Sequence, residues 1–420
     1  MSCRAKGLTA LFSFLLASTA PAWAGGPSQD MWLSPQQMDA GTDQLIITLS
    51  AKSPLPLAQS LDRTVLARFG VKLKSVKGKR VRLNTVLPLD RAAQLAAELK
   101  SANRYLTKAW ADGRGTVSWV PNDPLWSQQW HYWESTAGIN LPAAWNVSTG
   151  QGMVVAVIDT GYTAHPDLVP NLALPGYNMV LHEGRRADGL AWDGGCGSHG
   201  THVAGTIAAA SHNAVGVASV APGARVLPVR ALYGCYAYWS DVADAVVWAS
   251  GGTVSGTTPN PTPARVINMS LQGYQACSPD MQAAIDDARA RGTVVVVAAG
   301  NAGIDASASM PANCRGAIAV AALTRSGQRA GFSNHGPLIT VAAPGDSVLS
   351  TVGTADYQNY SGTSMASPHV AGVVALMLGM EPWMTPDLVA ERLRHTAKPI
   401  SCTDCGAGLV DAYRATPPPH

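Results

Sequence analysis

Charge is scarce in this sequence. Asp, Glu, Lys and Arg make up only 14% of its 420 residues, and aromatic side chains only 6%. That shortage argues against a disordered chain and against a coiled coil, both of which depend on abundant charge. Internal repeats are absent. Beyond the N-terminus we find no second apolar run of spanning length, so no membrane partner is expected. What abounds is Gly, Ala and Val, the composition of a compact α/β chain with buried strands.

Residues 1–24 have the layout of a secretory signal. Arg4 and Lys6 charge the start, Leu8 to Leu16 is apolar but too short to span a bilayer, and Ala22-Trp23-Ala24 forms a cleavage site. Export, and hence a secreted protein, is the expectation. Removing the segment takes Cys3 with it and leaves six cysteines in a disulfide-permissive setting. Six allow fifteen pairings. The pairing expected is Cys196–Cys235, Cys277–Cys314 and Cys402–Cys405. The last has redox spacing, but no thioredoxin-like unit surrounds it, so it reads as a small structural ring.

The net charge of +3 conceals a division. Residues 25–118 carry fourteen basic against seven acidic side chains, whereas residues 119–420 carry fourteen against twenty. The basic segment raises the question of nucleic acid. Pairing with the acidic remainder is the simpler reading, and no nucleic-acid partner is expected.

Residues 25–42 are polar and rich in Gly, Ser and Gln. A unit of mixed elements follows: a strand over Gln44–Ser50, a helix over Leu57–Phe69, strands over Gly70–Val76 and Arg80–Val86, a helix over Leu89–Leu99, and a last strand within Tyr105–Val120. This β-α-β-β-α-β order predicts a small ferredoxin-like α+β fold. From about Pro121 nearly continuous apolar runs alternate with helical ones: Met153–Ile158, Val226–Val229, Val266–Ser270, Thr293–Ala298, Ala317–Ala321 and Leu338–Val341. That texture predicts a doubly wound α/β domain, a mostly parallel sheet with helices on both faces.

The strand Val154-Val-Ala-Val-Ile-Asp159-Thr-Gly161 ends in a carboxylate. Asp-Thr-Gly also marks aspartic proteases, but these need a second carboxylate to share the proton, and no second copy exists. Two other segments offer partners. Gly197-Ser-His199-Gly-Thr-His202-Val-Ala-Gly-Thr206 turns into an Ala-rich helix, and Gly362-Thr-Ser364-Met-Ala-Ser-Pro368-His-Val-Ala-Gly372 opens an apolar one. A serine hydroxyl needs an imidazole to take its proton, and the imidazole needs a carboxylate to fix its tautomer. Taken singly, each residue has a plainer use: Asp as a turn cap, His as a structural residue, Ser as an N-cap. Their joint occurrence favours catalysis. Zinc at His199 and His202 is disfavoured because no glutamate lies between them. A strict G-x-S-x-G elbow is excluded because Ala366 stands where the second Gly would be.

With these motifs the chain resembles the secreted bacterial subtilisin-like serine proteases, the subtilases, over nearly all of residues 121–413. The resemblance rests on Val157-Ile-Asp159-Thr-Gly161, His199-Gly-Thr-His-Val-Ala-Gly-Thr206 and Gly362-Thr-Ser364-Met-Ala-Ser-Pro-His369. It implies a serine endopeptidase acting on proteins or peptides, with Ser364 as nucleophile, His199 as general base then acid, and Asp159 as orienting carboxylate. His202 and His369 are then structural. Asn301, in Ala298-Ala-Gly300-Asn301, matches the side-chain oxyanion donor. Ser270, Leu271, Gln272 and Gly273 match one wall of the substrate pocket, although Gln272 stands where the family usually has Gly. The facing stretch Ala306–Pro311 holds no acid or base, and a preference for large apolar side chains before the cleaved bond is the expectation.

The resemblance also implies structural calcium. Side-chain oxygens would come from Asp123, Asp167 and Asn213, and carbonyls from Val215 and Val217. Residues 25–118 match a propeptide that assists folding and then blocks the cleft. Self-processing is expected between about Trp110 and Pro121, leaving a catalytic domain within 119–420. The other functions weighed are a non-catalytic binder on the same scaffold, which the intact triad disfavours, and a dedicated processing or transpeptidating enzyme.

Overall fold

The structure is a computed structural model, and it describes residues 42–112, 120–184 and 196–416. The expected signal segment and most of the expected processing stretch lie outside the described residues.

Two sheets are built around separate apolar cores. The first contains β1 (Thr42–Leu49), β2 (Leu73–Lys77), β3 (Arg80–Leu87) and β4 (Leu106–Ala111) in the order β2-β3-β1-β4, all antiparallel. Helix Leu89–Ala102 buries Ala92, Leu95, Ala96 and Leu99 at helical spacing against it. This is the expected ferredoxin-like arrangement. The single helix expected over Leu57–Phe69 is instead two pieces, Leu57–Ser60 and Arg63–Arg68. Asp62 breaks it: its carboxylate accepts the N–H groups of Thr64 and Val65, starting the second piece with an N-cap.

The second sheet is parallel throughout, in the order β11-β10-β9-β8-β5-β7-β6. Its strands are β5 (Val154–Asp159), β6 (Tyr177–Asn178), β7 (Arg225–Arg230), β8 (Val266–Met269), β9 (Val294–Ala298), β10 (Ile318–Leu323) and β11 (Ile339–Pro344). Burial on both faces explains their nearly unbroken apolar sequences. The chain fills one side of β5 with β7 and β6, then crosses to β8 on the other side. In a doubly wound sheet this reversal opens a crevice beyond the strand's carboxyl end, where Asp159 stands. An antiparallel hairpin, β12 (Val348–Val352) with β13 (Asp356–Tyr360), precedes helix Thr363–Met380.

That helix corrects one expectation. It has the length and apolarity of a membrane span, the one such helix among the described residues, and 89% of it is buried. It packs on β8, β9, β10 and β11 as a core helix. All three expected disulfides are formed.

Candidate active site

Asp159 ends β5 and is 1% exposed. Its Oδ1 accepts the backbone N–H of Thr160 at 2.8 Å and meets His199 Nδ1 at 2.7 Å. The carboxylate thus requires the proton on Nδ1, which leaves Nε2 as the basic nitrogen. Helix His199–Ala208 presents the imidazole, and its approach depends on Gly200. A Cβ there would stand 2.1 Å from the Gly161 carbonyl oxygen, while the Gly200 N–H donates to Thr160 Oγ1 at 2.9 Å. Only glycine lets the helix start lie this close to the turn after β5. The Cys196–Cys235 disulfide ties the residues before His199 to the turn after β7, and both cysteines line the cleft.

Ser364 occupies the first turn of helix Thr363–Met380, and its Oγ donates to the Ser270 carbonyl at 3.1 Å. Pro368 lies inside this helix and has no N–H for the Ser364 carbonyl four residues back. The Ser270 hydroxyl takes over, donating to that carbonyl at 2.8 Å, and also contacts Ser367 Oγ at 2.9 Å. Ser270, assigned from sequence to the substrate wall, is therefore buried, and its side chain secures the nucleophile's helix.

Asn301 follows β9. Its Oδ1 accepts from both the N–H and the hydroxyl of Thr363, each at 2.8 Å. With the oxygen held there, Nδ2 is the end left to donate into the cleft. Asn334, missed in the sequence, organises this loop. Its Oδ1 accepts from Ala302 and Ile304, its Nδ2 donates to the Ala299 carbonyl, and its N–H to that of Gly300. Nothing local in Ser333-Asn334-His335 signals this role, because every partner is about thirty residues away.

His199, Asn301 and Ser364 line one cleft of about 400 Å³, together with Ser270, Leu271, Gln272, Thr363 and Trp239. Gly273 completes that wall by exchanging backbone hydrogen bonds with Met310. The other motif histidines point elsewhere. His202 Nε2 faces the carbonyls of Val348 and Gln358, and burial pushes its pKa down to about 3. His369 contacts the Met365 carbonyl and His131, and burial lowers its pKa to about 4. Both are neutral structural groups. Among the described residues no three His, Cys, Asp or Glu side chains cluster as a metal cage.

The residues matched to calcium do converge. Asp123 and Asp167 are buried. Burial raises both carboxyls, Asp167 to about 6, and their mutual repulsion adds to the rise at Asp167. Asp123 accepts the N–H of His212 at 2.8 Å, and Asp167 accepts from Val217 N–H and Asn213 Nδ2 at 2.9 and 2.8 Å. Val217 thus turns its N–H, not its carbonyl, to Asp167. Asn213 Oδ1 accepts from the Val215 N–H at 2.8 Å, and Val215 is exposed. The two buried, mutually repelling carboxylates suit a hard cation, while Asn213 and Val217 turn donors to them, so their oxygens would have to be redirected to ligate one.

The chain matches the Subtilase family over residues 150–412. It is 43% identical to an extracellular protease of Xanthomonas campestris pv. campestris, an alignment covering 97% of this chain and 77% of that protein. It is 35% identical to thermitase of Thermoactinomyces vulgaris, covering 71% of this chain and 99% of thermitase. Among solved structures it is similar to a protease from Pseudoalteromonas arctica, with TM-score 0.68 and 46% identity, covering 70% of this chain and 98% of that one. Sheet order, cleft and relatives agree: the chain belongs to the subtilase family and is a serine endopeptidase.

Proposed function

We propose that Ser364 is the nucleophile of a secreted, self-processing endopeptidase. His199 takes the hydroxyl proton through Nε2 as Oγ attacks the peptide carbonyl, then gives it to the departing amine. Asp159 holds the imidazole and stabilises its cation. Asn301 Nδ2 donates to the oxyanion. The observation that carries this reading is the 2.7 Å contact of His199 with a buried Asp159, on a cleft that also holds Ser364 and Asn301. A fluorophosphonate probe should label wild-type protein at Ser364 and leave Ser364→Ala unlabelled. Labelling at another residue would overturn the assignment.

Residues 1–24 direct export, a reading that the extracellular relative supports. Residues 25–118 form the propeptide, and residues 119–420 the catalytic domain. The basic balance of the former against the acidic balance of the latter favours docking. Ser364→Ala, made without another protease, should keep its N-terminal segment; normal removal would exclude self-processing. Asp123, Asp167 and Asn213 side-chain oxygens, with the Val215 and Val217 carbonyls, would hold structural calcium. When bound, the cation neutralises the two buried carboxylates.

A further inference from the structure

Gln272 is a cleft residue that this chemistry leaves unused. It stands two residues beyond Ser270, whose carbonyl holds the Ser364 hydroxyl. Its carboxamide is tied at both ends. Oε1 accepts the backbone N–H of Asn301, and Nε2 donates to the Tyr274 hydroxyl at 3.0 Å. The side chain therefore bridges the segment Ser270–Gly273 and the segment Gly300–Asn301.

What this bridge occupies can be read at Gly300, where φ is +108°. A Cβ built there would lie 2.5 Å from Gln272 Oε1, 2.8 Å from Ser309 Oγ and 2.3 Å from Asn334 Nδ2. The Asn334 and Gln272 amides and the Ser309 hydroxyl thus pack together beside the Gly300 Cα and leave no room for a side chain there. Ser309 is fully buried, and its hydroxyl has no hydrogen-bond partner. The same wall is braced where Gly273 and Met310 exchange backbone hydrogen bonds at 2.8 and 2.9 Å. The result is a tightly filled wall beside Gly300, with Gln272 lining the cleft and Ser309 buried behind it.

A substrate must put its scissile carbonyl carbon against Ser364 Oγ and its oxygen toward Asn301 Nδ2. His199 serves the departing nitrogen on one flank. The acyl half then extends along the other, beside Ser270–Gly273. The first side chain on that half starts two bonds from the reacting carbon, about 2.5 Å away. Its first obstacle is the Gln272 carboxamide.

We propose that Gln272 sets specificity for the residue before the cleaved bond. Its carboxamide narrows the cleft at this wall and favours Gly, Ala or Ser before the cleaved bond, so the preferred substrates are proteins rich in small residues. This departs from the expectation of large apolar side chains. A large side chain enters only by displacing the amide from the Asn301 N–H and the Tyr274 hydroxyl. Losing two ordinary hydrogen bonds corresponds to roughly a ten- to hundredfold discrimination. The proposal rests on the reading of Ser364 as nucleophile.

The test compares kcat/KM on matched peptide anilides that differ only in Ala, Leu or Phe before the anilide. Active enzyme is counted by fluorophosphonate labelling of Ser364. Wild type should prefer Ala to Phe by at least tenfold, and Gln272→Gly should raise the Phe-to-Ala ratio at least tenfold. If Gln272 merely held the Asn301 loop, kcat would fall equally for all three and the ratio would not move. An unchanged ratio in fully labelled enzyme, or a wild type that prefers Phe, overturns the specificity role while leaving the nucleophile intact. No labelling of wild type removes the nucleophile and this proposal with it. Should Gln272→Gly fail to fold, Tyr274→Phe decides the matter. It frees the outer end of the amide from an exposed position, and the ratio must then move toward Phe.

Discussion

Two buried carboxylate sites in this protein are compensated in different ways. Asp159 meets an imidazole at 2.7 Å. Asp167 lies beside a second acid, Asp123, and the hydrogen bonds to the pair come from neutral N–H and O–H groups. Burial raises both acids of that pair, Asp167 to about 6. A carboxylate withdrawn from water needs a countercharge or loses its own. The first site has an imidazole from within the chain against it, which the proposed mechanism makes cationic during the reaction. At the second, His212 eases Asp123 only in part, since burial still raises both acids, and under the calcium proposal a cation from solution supplies the rest.

Breaking the first site should have the largest effect. Ser364→Ala or His199→Ala is expected to lower kcat by about 10⁶, and Asp159→Asn by about 10⁴, with thermal unfolding nearly unchanged; these sizes are known from subtilisin and chymotrypsin-type triads. Steady-state assays on a peptide anilide provide the check. Asn301→Ala follows at about 10²–10³ in kcat with KM little changed, a size known from a subtilisin. An equal loss carried by KM would mean that Asn301 only binds substrate.

Breaking the second site should act on stability. Chelator should lower the unfolding temperature by about 5–10 °C, as expected when a ligand near a hundred times its Kd is withdrawn from a domain of this size. Asp167→Asn should abolish that response. The smallest effect is its pH dependence. The folded pKa of Asp167 lies above its unfolded value, so the folded chain binds more protons between about pH 4 and pH 6. Without cation, this group's contribution to stability falls as pH rises through that window. Under the calcium proposal a bound cation offsets the loss, so chelator should matter more at pH 7.5 than at pH 5. Calorimetry at both pH values, with and without chelator, measures the difference; an equal shift would separate the carboxyl pair from the cation.

The same contrast marks how far the sequence could be read. Asp159, His199 and Ser364 stood out in the sequence because each sits in a long motif whose local geometry carries it: strand end, helix start, helix start. Parallel strands were legible from their nearly unbroken apolar runs. What escaped are partnerships between distant residues. Asn334 holds the Asn301 loop, and Ser270 replaces the hydrogen bond that Pro368 cannot make. His131 meets His369 at 2.8 Å across 238 positions. No periodicity encodes such pairs. The split at Asp62 was missed for another reason, since helical spacing continues across the break while capping decides it locally. At Asn213 and Val217 the residues were found, but which of their atoms faces the carboxylates was not.

Pre-steady-state acylation by a chromogenic ester tests the proposed cooperation of Asp159, His199 and Ser364 most directly. Wild type should release one equivalent of chromophore in a burst, with the acyl group on Ser364, and His199→Ala should slow that burst at least 10⁴-fold. A burst of undiminished rate in His199→Ala, or an acyl group found on another residue, would contradict the account.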